Sequence, residues 1–369
     1  MIHPRAVKAF LDKPRDDWRW LKKVSHKQLD RELERLGFRV ASANVEPLLH
    51  HQKVCVLLGI MHKGFAHFLD MGTGKTRVAL ELLRYWALQG ELETAIVLGP
   101  SESALFGWEK QIKRWRIDLP YVTLLNSPSK EKRETIDEFE RGIVFATYPG
   151  LTRALSTLVT VKRKTKGGGY RLVDVLKPNR KLLKSVAERV QAIVPDESTN
   201  LGNFNSLMFR VVDRLRKTTP IFYELAGRPF GRDPTMLWSQ LNLVDGGESL
   251  GETLGLFRAA FFAEKRNYWG GYDYEFKRST KRELNRILQH RSITYRWDEC
   301  IELPPLVPEV EEVSLPDEAT SYYAQFVRQI KRTRASMQER QNAFCRMRQV
   351  SSGFVGFTDD ETGERAEIA

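Results

Sequence analysis

The run Phe68-Leu-Asp-Met-Gly-Thr-Gly-Lys-Thr76 combines the residue types needed to hold a nucleoside triphosphate. Gly72, Thr73 and Gly74 are small enough to bring backbone N–H groups onto phosphate oxygens. Lys75 sets an ammonium against the β and γ phosphates, and Thr76 offers a hydroxyl to Mg²⁺. Met71 and Arg77 flank the cradle and join Gly72 to Thr76 as candidate ATP-binding residues, while Leu69 stands where the full pattern has its first glycine. A second constellation, Gln191-Ala-Ile-Val-Pro-Asp-Glu-Ser-Thr199, is an apolar run that ends in paired carboxylates. Asp196 at such a strand end suits Mg²⁺, and Glu197 suits polarisation of an attacking water. Lys75 and Glu197 are the catalytic candidates; Thr76 and Asp196 are the metal candidates.

These groups need elements to position them. Gly64 to Leu69 is a short apolar run, and Val78, Leu82, Leu83 and Trp86 follow at helical spacing until Gly90, so the cradle joins a strand to a helix whose dipole favours phosphate. Thr94 to Leu98, Tyr121 to Leu125, Gly142 to Thr147, Gln191 to Val194 and Ile221 to Ala226 read as further strands between amphipathic stretches. An α/β fold with a parallel sheet follows. Met1 to Val45 has its own helical signal in Leu29, Leu33 and Leu36, with Trp18 and Trp20 nearby, and reads as a small N-terminal extension. Pro304, Pro305 and Pro308 mark a boundary, after which Val310 to Leu315 suggests a strand and Asp317 to Val350 two helices. Between Leu158 and Ala187 lies an insertion whose centre holds Lys162, Arg163, Lys164, Lys166, Tyr170 and Arg171 around three glycines. It reads as an exposed, mobile loop: either a solvated hairpin tip, or a basic finger with Tyr170 free to stack on a base.

With 369 residues, 41% of them apolar, the chain is long enough for two or three cores. No uninterrupted apolar run approaches membrane-spanning length, and Met1 to Trp20 is charged throughout, so a cytoplasmic protein with no membrane partner is expected. Cys55, Cys300 and Cys345 are too scattered for a disulfide framework or a zinc site. His50 and His51 point to different helix faces and suit polar or capping roles rather than a metal. The net charge of +12 favours a polyanionic partner.

In order and spacing, the motifs resemble the SNF2-like branch of superfamily 2 helicases and translocases, from about Pro47 to Gly353. Leu48 to Gln52 resembles the Q motif, which implies that Gln52 reads the adenine edge. Asp70 to Thr76 is similar to DEMGLGKT. Ile96 to Pro100 followed by Trp108 to Trp115 resembles motif Ia, and Ile143 to Tyr148 an ITTYE-like motif. The resemblance implies that Pro100, Ser101, Trp108, Thr147 and Tyr148 contact a DNA backbone, a mode of grip that reads no sequence. Asp196 to Thr199 takes the place of DEAH. Leu225 to Pro229, followed by Leu237 and Trp238, resembles LTGTP with its trailing LWSLL, which implies a coupling role for Gly227 and Arg228; Ala226 and Arg228 replace both threonines. Leu303 to Pro305 resembles the LPPK linker and Arg348 to Phe354 the LRQxxSGF segment.

What this resemblance implies is a RecA-like P-loop NTPase lobe over 46–300, carrying the basic insertion at about 158–187. An extension at 1–45 precedes it, and a linker with the incomplete start of a second RecA-like lobe follows over 301–369. Motifs IV, V and VI have no counterpart after Gly353, so the chain reads as truncated within that second lobe. Without an arginine finger, which contributes about 10³ to 10⁵ in rate, ATP should bind but turn over slowly. The implied function is an ATP-dependent DNA helicase or translocase of phage or bacterial type, using ATP and Mg²⁺ on single-stranded, duplex or branched DNA. The alternatives are an ATP-switched DNA-binding module without motor activity, and the ATPase subunit of a restriction or defence complex.

Overall fold

Strands that are apolar on both faces must be covered on both, and seven of them here form one parallel sheet. The computed structural model describes residues 2–42, 44–164, 168–230, 233–266, 271–300, 309, 311–312, 314–331, 337–351, 355–358 and 365–368. In chain order the strands are Gly64–Leu69 (β1), Thr94–Gly99 (β2), Tyr121–Leu124 (β3), Gly142–Thr147 (β4), Ser156–Lys164 (β5), Tyr170–Pro178 (β6), Ala192–Pro195 (β7), Ile221–Ala226 (β8), Phe262–Arg266 (β9), Tyr272–Phe276 (β10) and Ser292–Tyr295 (β11). The main sheet runs β11-β1-β8-β7-β2-β4-β3. β5 with β6 and β9 with β10 form two separate antiparallel hairpins.

Alternation along the strands divides the core in two. Phe65, Leu69, Val97 and Tyr223 face helices His50–Met61, Lys75–Leu88 and Glu102–Trp115. Ala66, Phe68, Ile96, Phe222 and Ala226 face the opposite layer, which includes Tyr148–Ala154, Leu207–Arg216 and Met236–Asp245. With Pro4–Asp12 and His26–Arg35 as α1 and α2, and Ser129–Glu138 and Arg180–Ala187 as α6 and α8, these are α3 (His50–Met61), α4 (Lys75–Leu88), α5 (Glu102–Trp115), α7 (Tyr148–Ala154), α9 (Leu207–Arg216) and α10 (Met236–Asp245). The N-terminal segment adds to the same core rather than standing apart: Leu21, Leu29, Leu33 and Phe38 join the layer of α3 and α4. Lys53 of α3 pairs with Asp30 of α2 at 2.6 Å.

The insertion is a two-stranded hairpin, one of the two arrangements expected for it. Ser156 to Lys164 pairs residue by residue with Tyr170 to Pro178, because the run Thr157-Leu-Val-Thr-Val161, opposite Val173-Asp-Val-Leu-Lys177, is rich in β-branched residues. Lys166 lies outside the described residues.

Met1–Leu303 form one compact unit and Pro304–Ala369 a second. In the second unit, helices Asp317–Lys331 and Met337–Ser351 occupy the stretch expected to be helical, and Val355–Thr358 pairs antiparallel with Arg365–Ile368. Ala319 and Val350 are buried there with Leu315, Tyr322 and Phe326 packed around them. The strand expected at Val310 to Leu315 is not found among its described residues: Glu311, Glu312, Ser314 and Leu315 are irregular, two of them charged and none paired in a sheet. Leu303 to Pro305, Pro308 and Ser352 to Phe354 lie outside the described residues.

Candidate active site

All seven strands of the main sheet run parallel, so their C-terminal ends open on one edge, where α/β sheets bind ligands. β1 delivers the cradle to that edge. Gly72 and Gly74 adopt φ of 83° and 89°, a left-handed conformation that β-carbons disfavour, and α4 starts directly at Lys75. The Thr73 hydroxyl donates to the Asp70 carbonyl at 2.7 Å, closing the turn. The Thr73 carbonyl in turn accepts from the His51 ring at 2.7 Å and from the Gln52 amide at 3.1 Å. His51 therefore braces the cradle, a role its position in sequence did not reveal. Gln52 is buried, and its Oε1 caps α3 by accepting from the Leu49 N–H at 3.0 Å.

β7 lies two strands away, on the far side of β8, and brings the carboxylates to the same edge. The Lys75 ammonium meets Glu197 Oε1 at 3.0 Å, with the lysine side chain nearly buried and the glutamate half exposed. Glu197 holds φ of 52°, a left-handed conformation uncommon for a residue with a β-carbon, and its carbonyl accepts from Asn200 Nδ2 at 2.8 Å. Asp196 is partly buried. Burial lifts its carboxyl above the ordinary range, opposed by the Trp108 indole N–H and the Lys75 charge.

Two aromatic side chains converge on Asp196. Trp108 Nε1 donates to Asp196 Oδ2 at 2.9 Å, and the Tyr148 hydroxyl donates to the Asp196 carbonyl at 2.9 Å. Trp108 is 2% exposed and Tyr148 1%, so neither has a surface to offer a DNA strand; both are corrected from strand contacts to internal supports. The other candidate strand residues do reach the surface. Ser101 is exposed and caps α5 through Ala104 N–H at 3.3 Å; Thr147 caps α7 through Gly150 N–H at 3.1 Å. Gly99 pairs with Thr147, so Pro100, Ser101 and Thr147 sit side by side at the sheet edge.

A cavity of about 640 Å³ opens beside the cradle, lined by Gln52, Gly72, Gly74, Lys75, Thr76 and Arg77 together with Glu46, Gln111, Arg114 and Trp115. Arg77 lies over the Trp115 ring at 3.8 Å and donates to the Glu46 carbonyl. Gln111, Arg114 and Trp115 were not singled out for this role. The signal available was their spacing with Trp108, which places 108, 111 and 115 on one helix face. Met71 is highly exposed and lies outside this cavity.

Hard oxygen donors suit Mg²⁺, which takes one or two carboxylates and completes its shell with water and phosphate. Thr76 and Asp196 are such donors, and among the described residues no group of three or more His, Cys, Asp or Glu could hold a metal ion by itself. The residues present thus fit Mg²⁺ carried with a nucleotide. Gly227, the first coupling candidate, sits where a β-carbon would lie 3.8 Å from Lys75 Nζ. Arg228, the second, is exposed. Behind them Gln240 of α10 accepts from the Ser198 hydroxyl at 3.0 Å and donates to the Pro229 carbonyl, tying the carboxylate turn to the turn after β8. Glu224 on β8 is fully buried with both carboxyl oxygens unpartnered, and burial pushes it up to about 8.

On the insertion hairpin, Lys162, Tyr170, Arg171 and Leu172 line a shallow hollow of about 480 Å³. Tyr170, Leu172 and Leu158 are about 70% exposed and share one face of the hairpin with Lys162 and Lys164; Arg163 opposes Arg171 on the other.

The SNF2-related domain family matches residues 48–353 of the chain. No curated protein matches it. Among solved structures, the chain is similar to the Sulfolobus solfataricus SWI2/SNF2 ATPase core in complex with dsDNA, at 20% identity and a TM-score of 0.50, over 85% of this chain and 59% of that one. It is also similar to the ATPase core domain from the same organism, at 19% identity and a TM-score of 0.49, over 83% and 57% of the two chains. The chain thus spans about 59% of the length of the first of these structures, and the likeness is one of fold.

Proposed function

From the premise that this chain belongs to the SNF2-related domain family, we propose that it is the ATP-hydrolysing part of a DNA translocase or helicase. The observation that carries this reading is the Lys75–Glu197 pair, which joins the phosphate cradle to the carboxylate turn at 3.0 Å. A γ-phosphate drawn to Lys75 competes with Glu197 for the ammonium, and the released carboxylate is free to hold and polarise the attacking water. Backbone N–H groups at Gly72 to Thr76 cradle the phosphates at the start of α4. Mg²⁺, when bound by Thr76 and Asp196, neutralises charge building on the phosphate oxygens.

The substrate surface follows from the same edge. Pro100, Ser101 and Thr147 offer short polar contacts to a phosphate backbone, and the basic hairpin carrying Lys162, Arg163, Lys164, Tyr170 and Arg171 adds charge and a stackable ring. We assign that hairpin to forks or junctions, where a paired region meets single strands. A second reading, an ATP-switched DNA-binding module that does not move, is favoured by Ala226 and Arg228, which supply no hydroxyl where coupling would need one.

The deciding experiment is steady-state ATP hydrolysis, alone and with single-stranded, duplex and forked DNA, with Lys75→Ala as the blank. DNA-stimulated turnover that vanishes in the variant is the expected result. Hydrolysis by Lys75→Ala at the parent rate overturns the assignment; ATP binding without stimulated turnover means that hydrolysis needs an arginine finger from a second lobe, and directional movement by a protein with both lobes then decides between the two readings.

A further inference from the structure

Asp196 is fixed at every polar atom. Its N–H donates to the Leu98 carbonyl at 2.8 Å, and its carbonyl accepts from the Tyr148 hydroxyl at 2.9 Å. Oδ1 accepts from the Glu197 N–H at 3.0 Å and Oδ2 from Trp108 Nε1 at 2.9 Å. A carboxylate offers about four lone-pair sites. Two are used here, so the plane of the group is set and the remaining sites have fixed directions.

The two aromatic donors come from different elements, and each element also reaches the surface. α5 starts at Ser101 beside Thr147, passes Trp108 under Asp196, and ends with Gln111 and Trp115 in the wall of the nucleotide cavity. α7 starts at Thr147 and places Tyr148 on the same aspartate. A phenylalanine would fill the buried volume of either ring. What indole and phenol add is one donor each, and both donors go to Asp196.

Resting on the proposed nucleotide site, we infer that Trp108 and Tyr148 are positioning residues for the metal-binding carboxylate, and that α5 and α7 carry the occupancy of the strand edge to it. A strand that shifts the first turn of either helix moves the donor that orients Asp196. DNA and the Mg²⁺-dependent part of nucleotide binding are then linked, and linkage is reciprocal.

The test uses the full chain and a fluorescent ATP analogue, titrated in Mg²⁺ and in EDTA, for the parent, Trp108→Phe and Tyr148→Phe. A hydrogen bond to a charged group corresponds to about one decade in affinity or more. Trp108→Phe should lose about tenfold of the affinity that Mg²⁺ adds, with the EDTA affinity unchanged; Tyr148→Phe should lose a smaller part. Equal affinities in EDTA separate this from a general loss of structure, which would weaken both. Both variants keeping the full Mg²⁺ gain overturns the positioning role while leaving the nucleotide site standing. If the parent shows no binding, or Lys75→Ala binds as the parent does, the site assignment itself fails and the inference falls with it. Adding saturating duplex DNA should shift the Mg²⁺-dependent affinity of the parent and not that of Trp108→Phe. No shift in the parent, or the same shift in the variant, overturns the transmission.

Discussion

Removing the Glu224 carboxyl should stabilise the protein, and by more at alkaline pH. Glu224 sits in the middle of β8, fully buried, with neither oxygen given a donor; the nearby Ser198 hydroxyl is spent on Gln240. Burial raises its pKa from 4.5 to about 8, so the folded state holds a proton that the unfolded chain releases. Between those values the native state binds more protons than the unfolded state. The contribution is therefore complete below about pH 4.5 and is lost as pH rises toward 8. At about 1.4 kcal/mol per unit, the loss at pH 7 is roughly 3 kcal/mol, a large share of a typical folding free energy. Glu224→Gln keeps the shape and cannot ionise. Its extra N–H adds a fixed cost of about 1 kcal/mol, which leaves the pH dependence as the cleaner readout. Urea unfolding at pH 5.5, 7 and 8 should show the variant gaining on the parent by about 3 kcal/mol across that range. Parallel curves would mean that the carboxylate is ionised in the folded protein and finds a partner there. A neutral Glu224 also has a functional side, because it adds no third negative charge behind Asp196 and Glu197.

At acid pH the sign reverses through His67, which is fully buried on β1 and lowered by burial to about 3. The folded state keeps it neutral while the unfolded chain takes up a proton below about 6.5, so stability present above that value is lost as pH falls; His67→Phe should remove up to about 1.4 kcal/mol per pH unit from the pH dependence of the unfolding free energy, measured by urea titration between pH 6.5 and 4.5. Tyr223→Phe should cost about 2–4 kcal/mol in chemical denaturation, since the hydroxyl both accepts from Trp86 Nε1 and donates to the Gly59 carbonyl, and removal strands two buried groups. No measurable loss would mean that the pair is satisfied by water. Excising Thr157 to Lys177 and joining Ser156 to Pro178 through a short glycine turn should leave the melting temperature nearly unchanged, because those two residues are already paired and most of the hairpin is exposed. The same excision should weaken fork binding more than single-strand binding in an equilibrium titration, and equal losses would refute a junction role for the hairpin.

The limits of four central strands were legible because burial on both faces leaves an unmistakable apolar run: Gly64 to Leu69, Gly142 to Thr147 and Ile221 to Ala226 match residue for residue, and Thr94 to Leu98 falls one short. β11 was not seen. Its four residues Ser292-Ile-Thr-Tyr295 lie between Arg291 and Arg296, too short for periodicity to register, and only the distant β1 gives them a partner. In the insertion a hairpin tip was among the readings, but the glycines and lysines drew attention from the β-branched pairs that zip its two arms together. The cradle and the carboxylate turn were picked out by local residue chemistry, and the structure brings Lys75 and Glu197 together at 3.0 Å. Trp108 and Tyr148 were not, because a motif places a residue on an element without saying which way its side chain turns, and both turn inward to Asp196.

Strand order also imposes an order in time. β1, which presents the cradle, is flanked only by β8 and β11, and both follow it far along the chain. At about 5–20 residues per second, the ribosome reaches Ala226 roughly 8 to 30 s after Leu69, and Tyr295 later still. Through that interval Phe65 and Phe68 belong to a strand without neighbours, while β2, β4 and β3 can already pair with one another. The half of the sheet that carries Pro100, Ser101 and Thr147 is therefore complete on the ribosome before the glycine cradle has a sheet to stand on.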